Sequence, residues 1–210
     1  MKTKTIPWPW ILFGPVILIL VSKSFFPSLR TSESKLPIYG KVPDFTLTEK
    51  SGRSVTASEL LGKVWIVQFM FTHCAGPCPL VSAQTHRLQE KIKSDRMRFV
   101  SFSVDPDHDT PEVLSQYADR FHADKNRWLF LTGDKGKIYE LATHHFHLGV
   151  SDIPAEEREA MDQSVRHSMK LTLVDPSGRI RGYYDSDNPA NIEQLAADAE
   201  TLWITPHSQP

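Results

Sequence analysis

An almost continuously apolar run, Val64 to Phe71, leads directly into the only two cysteines of the chain, Cys74 and Cys78. The run is rich in β-branched and aromatic residues, which is typical of a central strand covered on both faces. The segment that follows, residues 79–95, has apolar residues at helical spacing and Pro79 in its first turn. The sequence therefore predicts a strand-to-helix junction that carries both cysteines, and open α/β sheets form their sites at this edge.

The segments around this junction alternate between strand and helix patterns, with a β-hairpin at each end. Phe45 and Leu47 alternate with polar residues before a turn at residues 50–52, and Val55 begins the return strand. A parallel βαβ unit joined to an antiparallel hairpin and a closing helix is the thioredoxin-like arrangement. We therefore expect an α/β thioredoxin-like fold with an N-terminal β-hairpin extension. Its later elements are predicted as a strand at 97–104, a helix at 109–123 capped by Thr110, a short strand at 128–133, a helix at 134–147, a hairpin at 169–185 and a helix at 188–203 capped by Asn188.

The N-terminal segment predicts a membrane anchor. Lys2 and Lys4 precede an uncharged run at residues 5–22, which is long enough for a short transmembrane helix. A cleaved signal peptide is the alternative, although no A-x-A cleavage site follows the run. Residues 1–24 are thus predicted as a single anchor or signal, 25–40 as a linker, and 41–205 as the thioredoxin-like domain, placed on the extracytoplasmic (periplasmic) side of the cell membrane.

The charge balance argues against a nucleic-acid partner. The chain has 24 Lys and Arg residues against 25 Asp and Glu residues, a formal net charge of −1. A nucleic-acid-binding protein needs a basic surface to displace counterions from the phosphates.

The cysteine pair predicts soft-metal or redox chemistry. A helix N-terminus lowers thiol pKa, so both sulfurs of Cys74 and Cys78 are predicted to be able to form thiolates near neutral pH. The three-residue spacing brings them close enough for a disulfide, or for one ion between them. Thiolates favour copper(I) among other thiophilic metals, and a neutral imidazole would complete a trigonal site.

Among nine histidines, His167 is the candidate for that imidazole. It comes just before the first strand of the C-terminal hairpin, and in a thioredoxin arrangement this loop faces the cysteines; an ordinary loop histidine is the alternative. The "THHFH" cluster is either a second metal site or a solvated helix end. The cluster comprises His144, His145 and His147, while His73 is expected to point away from Cys74, and His86, His108, His122 and His207 to be solvated.

The acidic stretch Asp105–Asp109 fails the calcium-loop pattern. An EF-hand would need Gly at Thr110 and Glu at Gln116. Helix capping and a rigid turn account for the stretch.

Three motifs resemble the Sco/SenC family of copper proteins of cytochrome oxidase assembly. They are "FMFTHCAGPCP", "SVDPDHDTPEVLSQYA" and "HSMKLTLVDPSGRIRGYYD", and the resemblance spans residues 40–203. It implies that Cys74, Cys78 and His167 bind copper(I) or copper(II). It also implies a membrane tether and the copper-site subunit of cytochrome c oxidase as a partner. A thiol reductant is expected as a further partner because Cys74 and Cys78 can oxidise to a disulfide outside the cytoplasm.

Two residues depart from the family pattern. Ala75 replaces a proline after the first cysteine, and Arg166 replaces an acidic residue before the histidine. A cation at position 166 is expected to affect copper(II) affinity or partner docking rather than the set of ligands.

Three functions compete on this sequence. The first is a copper-binding assembly factor, not itself an enzyme, that delivers copper or keeps a client's cysteines reduced. The second is a thiol-disulfide oxidoreductase that uses the Cys74–Cys78 couple. The third, a thiol peroxidase, lacks its threonine because Phe71 stands three residues before Cys74. In every case a disulfide between the two cysteines must be reduced before they can hold copper.

Overall fold

A computed structural model describes residues 36–74, 78–153 and 165–204, with residues 165–167 and 204 described by their backbone alone. This part of the chain is an α/β structure in which one mixed sheet carries the helices. The strands of the described residues are β1 (Gly40–Lys41), β2 (Thr46–Glu49), β3 (Ser54–Thr56), β4 (Val64–Met70), β5 (Met97–Ser103), β6 (Trp128–Thr132), β7 (Val150–Asp152), β8 (Val165–His167), β9 (Lys170–Val174) and β10 (Arg179–Asp185), of which β7 and β8 form a separate two-stranded sheet. The helices of this part of the chain are α1 (Cys78–Lys91), α2 (Pro111–Arg120), α3 (Lys135–Glu140) and α4 (Pro189–Ile204), with a 3₁₀ turn at Ala57–Leu60 and a π turn at Leu141–His145.

Strand β4 lies inside an eight-stranded sheet of order β1-β10-β9-β4-β5-β6-β2-β3. All seven of its residues are buried, as the apolar run predicts. Strands β4, β5 and β6 are parallel neighbours, while β9 pairs antiparallel with β4 and β10 with β9. The C-terminal ends of β4 and β5 therefore meet the start of β9 at one edge of the sheet.

Both predicted hairpins are present. The N-terminal hairpin, β2–β3, extends the sheet by pairing β2 antiparallel with β6. In the C-terminal hairpin, Gly178 adopts a φ of 77° in the turn between β9 and β10, a left-handed conformation that glycine tolerates. The predicted thioredoxin-like α/β class with an N-terminal hairpin extension is thus observed in the described residues.

Helices α2 and α4 begin at the capping residues predicted from the sequence. The Thr110 side chain accepts a hydrogen bond from the Val113 backbone N–H, and Pro111 occupies the first position of α2. The Asn188 side chain accepts from the Ala190 backbone N–H at the start of α4.

The segment 134–147, predicted as one helix, is only partly α-helical. It is α-helical only to Glu140 and continues as a π turn from Leu141. The Phe146 backbone N–H donates to the Leu141 carbonyl, five residues back. This wider turn directs the fully buried Phe146 ring against Phe69, with ring centroids 5.3 Å apart. Core packing of Phe146 therefore overrides the regular helical repeat.

No helix in residues 36–74, 78–153 and 165–204 is both long and apolar enough to cross a membrane. The anchor predicted at residues 1–24 lies outside these ranges, as does most of the linker predicted at 25–40.

Candidate metal centre

Both cysteines lie at the junction of β4 and α1, as predicted. Cys78 is the first residue of α1, and Cys74 stands four positions earlier, after the end of β4. Cys74 is 5% exposed and Cys78 is 1% exposed, and both are free thiols. Ala75, the departure within the intervening loop, lies outside the described residues. The fold therefore presents two buried sulfur atoms side by side.

The hydrogen bond between the two sulfurs opposes the formation of two thiolates. A hydrogen bond with Cys74, together with burial, raises the pKa of the Cys78 thiol. A backbone hydrogen bond from Phe71 lowers that pKa but does not offset the increase. The prediction that both sulfurs ionise near neutral pH is thus wrong for Cys78, because a second sulfur and burial outweigh the partial charge of the helix end. A bound soft metal ion must displace this proton.

Asp109 forms hydrogen bonds with the segment that leads into Cys74. Its fully buried carboxylate accepts hydrogen bonds from the Thr72 hydroxyl at 2.5 Å and from the Thr72 backbone N–H at 3.1 Å. The Ser103 hydroxyl donates to the same carboxylate at 2.5 Å. Burial raises the pKa of Asp109, and the hydrogen bonds from Ser103 and Thr72 oppose that shift. The sequence predicted helix capping and a rigid turn for this stretch and did not single out Asp109. The available signal was the place of the stretch after β5, the parallel neighbour of β4.

A buried polar network anchors α1 over the sheet. The Gln68 side-chain amide donates to Ser101 Oγ at 2.8 Å and to Ser82 Oγ at 3.3 Å. Thr85 Oγ1 donates to Gln68 Oε1 at 3.0 Å. Ser82 and Thr85 both belong to α1, so these bonds fix the helix that begins with Cys78 against β4.

The position of His167 is known through its backbone. It is the last residue of β8 and pairs with Val150 of β7, so it ends a short strand instead of lying in a plain loop. Arg166, the other departure from the family pattern, pairs with Ser151 in the same ladder. The side chains of residues 165–167 lie outside the described part, and the convergence of His167 with Cys74 and Cys78 stays a prediction.

The remaining histidines are placed as follows. His73 is exposed whereas Cys74 is buried, so the two side chains point to opposite sides, as expected. His86 departs from expectation: it is half-buried, and its Nδ1 atom is shielded from solvent without a hydrogen-bond partner. Among described residues no three His, Cys, Asp or Glu side chains form a metal-binding group, and this includes the cluster of His144, His145 and His147. His207 lies outside the described residues.

A family model described as SCO1/SenC matches residues 37–203. The chain belongs to the SCO1/SenC family. The SCO1 protein homolog of Bacillus subtilis (strain 168) is 31% identical over 170 residues, which cover 80% of this chain and 85% of that protein.

Solved Sco structures share the fold. One is BsSco, a member of the Sco family of cytochrome c oxidase assembly proteins in which a disulfide switch has been identified. It is 27% identical, superposes with a TM-score of 0.69, and the match covers 83% of this chain and 100% of that one. Another is Bradyrhizobium japonicum ScoI with copper bound, which is 25% identical and superposes with a TM-score of 0.61. The match covers 77% of this chain and 99% of that one. A relative that shares the thioredoxin-like fold of this SCO1/SenC protein therefore binds copper.

Proposed function

We propose that this protein binds copper through Cys74, Cys78 and His167 and takes part in assembling the copper site of cytochrome c oxidase. The observation that carries the proposal is the pair of buried, reduced sulfurs at the junction of β4 and α1. Sulfur ligands are soft and suit copper(I), and burial protects a bound ion from solvent. The donor set therefore fits copper.

The relatives support copper as the ion and oxidase assembly as the setting. ScoI of Bradyrhizobium japonicum has copper bound, and BsSco belongs to a family of cytochrome c oxidase assembly proteins. On this basis the partner is the copper-site subunit of the oxidase, which receives copper from this protein or has its cysteines kept reduced by it.

The sheet register supports His167 as the third ligand. Strand β9 runs antiparallel to β4, with Thr172 opposite Val67 and Val174 opposite Trp65. The residues just before β9 therefore lie at the same edge as those just after β4. His167 stands three positions before the first residue of β9, and Cys74 stands four positions after the last residue of β4.

A thiol-disulfide oxidoreductase is the second candidate. The hydrogen bond between Cys74 and Cys78 brings the two sulfurs within reach of each other, and the related protein BsSco contains a disulfide switch. A disulfide between these cysteines would need an upstream thiol reductant before copper loading.

The proposal also places the domain outside the cytoplasm. The uncharged run at residues 5–22 would tether it to the cell membrane as a single-pass protein with the domain on the periplasmic side. Sensitivity of the domain to a protease added to intact spheroplasts tests this: digestion supports the orientation, and digestion only after lysis contradicts it.

Copper(I) titration of the full, reduced chain tests the ligand set. In competition with a copper(I) chelator, we expect one ion per chain, and binding at least tenfold weaker in His167→Ala because one of three ligands is lost. His144→Ala is the matched control, since His144 is exposed and belongs to no metal-binding group of the described residues.

Equal copper(I) affinity in His167→Ala and the unchanged chain would contradict the three-ligand site. An insulin-reduction assay distinguishes the thiol-disulfide oxidoreductase from the copper-binding assembly factor. Rapid turnover by His167→Ala, without copper, would favour the oxidoreductase over the copper protein.

A further inference from the structure

Two exposed imidazoles lie beside the cysteine pair, on the solvent side of the same sheet edge. His73 follows β4 and His108 follows β5, and their ring centroids are 6.1 Å apart with an interplanar angle of 63°. The His108 side chain is 65% exposed, and His73 is exposed as well. His73 directly precedes Cys74 in the chain.

The proton of His108 is held on Nδ1. This nitrogen lies 2.9 and 3.0 Å from the two carboxylate oxygens of Asp105, whose side chain is only 7% exposed. A carboxylate only accepts hydrogen bonds, so Nδ1 donates and the lone pair of the neutral ring resides on Nε2. Histidines that bind metals are commonly oriented by a carboxylate in this way.

The proton of His73 is held on Nδ1 as well, for a less direct reason. His73 Nδ1 lies 3.2 Å from Thr72 Oγ1. The single hydroxyl proton of Thr72 is already donated to Asp109 Oδ1, at 2.5 Å. The Thr72 oxygen must therefore accept from Nδ1–H, which leaves the lone pair of His73 on Nε2.

We propose that His73 and His108 form a second metal site, which binds a divalent transition-metal ion, copper(II) foremost, through both Nε2 atoms. Imidazole nitrogens suit copper, nickel and zinc, and copper(II) forms the strongest such complexes. With metal–nitrogen bonds of about 2.0–2.1 Å, two rings sharing one ion have centroids about 5–6 Å apart. The observed separation of 6.1 Å is close to this range.

Water completes the coordination of this ion. No third His, Cys, Asp or Glu in the described residues joins the pair in a metal-binding group. Two imidazoles and solvent make an open, exchangeable site that differs from the buried sulfurs, which favour copper(I). Metal binding by His73 and His108 does not depend on the proposed function. A role for this site as the place where copper enters the protein does rest on that function.

Copper(II) titration of the full chain carrying Cys74→Ser and Cys78→Ser tests the site with the sulfurs removed. Copper(II) sulfate is the probe, and electron paramagnetic resonance the readout. We expect one bound ion whose spectrum shows coupling to two imidazole nitrogens. His73→Ala or His108→Ala should each lower the affinity at least tenfold and remove one coupled nitrogen.

Asp105→Asn tests the orienting carboxylate, and about tenfold weaker copper(II) binding is expected because the ring of His108 loses its anchor. His144→Ala is the control and should leave the binding unchanged. His167→Ala should also leave it unchanged, so failure of this site and failure of the proposed copper(I) site are distinguishable.

Unchanged copper(II) binding in His73→Ala or His108→Ala, or no binding in the parent, would overturn the proposal. Should the double serine variant not fold, the wild-type chain with both thiols oxidised, verified by the absence of free thiol, serves as the parent for the same histidine substitutions.

Discussion

The carboxylate of Asp109 accepts hydrogen bonds from both the backbone N–H and the hydroxyl of Thr72. These bonds tie the turn after β5 to the chain two residues before Cys74. A buried acceptor with several donors holds a backbone segment in one position, so the loop that carries the first sulfur is fixed from a neighbouring strand.

Asp109→Asn should destabilise the fold and weaken copper(I) binding. The amide offers one acceptor oxygen and turns an NH₂ group toward groups that donate, which we expect to lower the free energy of unfolding by about 1–3 kcal/mol. Urea unfolding and chelator competition measure the two effects. Asp107→Asn is the control because Asp107 is exposed; equal effects of both substitutions would show that charge alone matters.

The ion pair of Asp175 with Arg181 predicts a pH dependence of stability. Their oxygen and nitrogen lie 2.8 Å apart, and both side chains are buried. Burial acts to raise the pKa of Asp175, but hydrogen bonds from Arg179 and Arg181 outweigh it and hold that pKa below its ordinary value of 3.8. The ion pair therefore contributes its full stability above pH 3.8, and this contribution is lost as the pH falls through the lower folded-state pKa.

Asp175→Asn should accordingly lower the free energy of unfolding by about 3 kcal/mol at pH 7, since it leaves buried Arg181 uncompensated. The difference from the unchanged chain should shrink below pH 3.8. Urea titrations at pH 7, 5 and 3 measure it, with exposed Asp119→Asn as control. A difference that stays constant down to pH 3 would be inconsistent with the lowered pKa.

Copper(I) affinity should rise with pH. Because the hydrogen bond with Cys74 and burial raise the pKa of Cys78, its thiol proton must leave when copper binds. Chelator competition at pH 6, 7 and 8, with the chelator's own protonation corrected, measures the slope. Affinity independent of pH would mean that Cys78 does not bind as a thiolate.

Phe146→Ala should cost about 3–5 kcal/mol in unfolding free energy, since a fully buried ring that packs on Phe69 and Phe102 is removed. Phe121→Ala, at a half-buried position, is the control and should cost less. Urea unfolding measures both losses. Equal losses would show that the buried Phe146 ring stabilises the fold no more than the half-buried Phe121 ring.

Local patterns in the sequence were sufficient for most of the fold. The apolar run of β4, the caps Thr110 and Asn188, and the C-terminal hairpin at 169–185 each depend on residues that are close in the sequence. The structure confirms all of them. The anchor at residues 1–24 and the ligand role of His167 stay predictions.

The sequence by itself determined the junction of strand and helix that carries Cys74 and Cys78, because side-chain periodicity and proline position are local properties. Only the tertiary structure decided that Asp109 holds Thr72 and that His73 lies beside His108. These contacts depend on the register between β4 and β5, whose residues are about thirty positions apart in the chain. Periodicity shows which face of a strand is buried, but it does not show which residues of two distant segments end at the same edge.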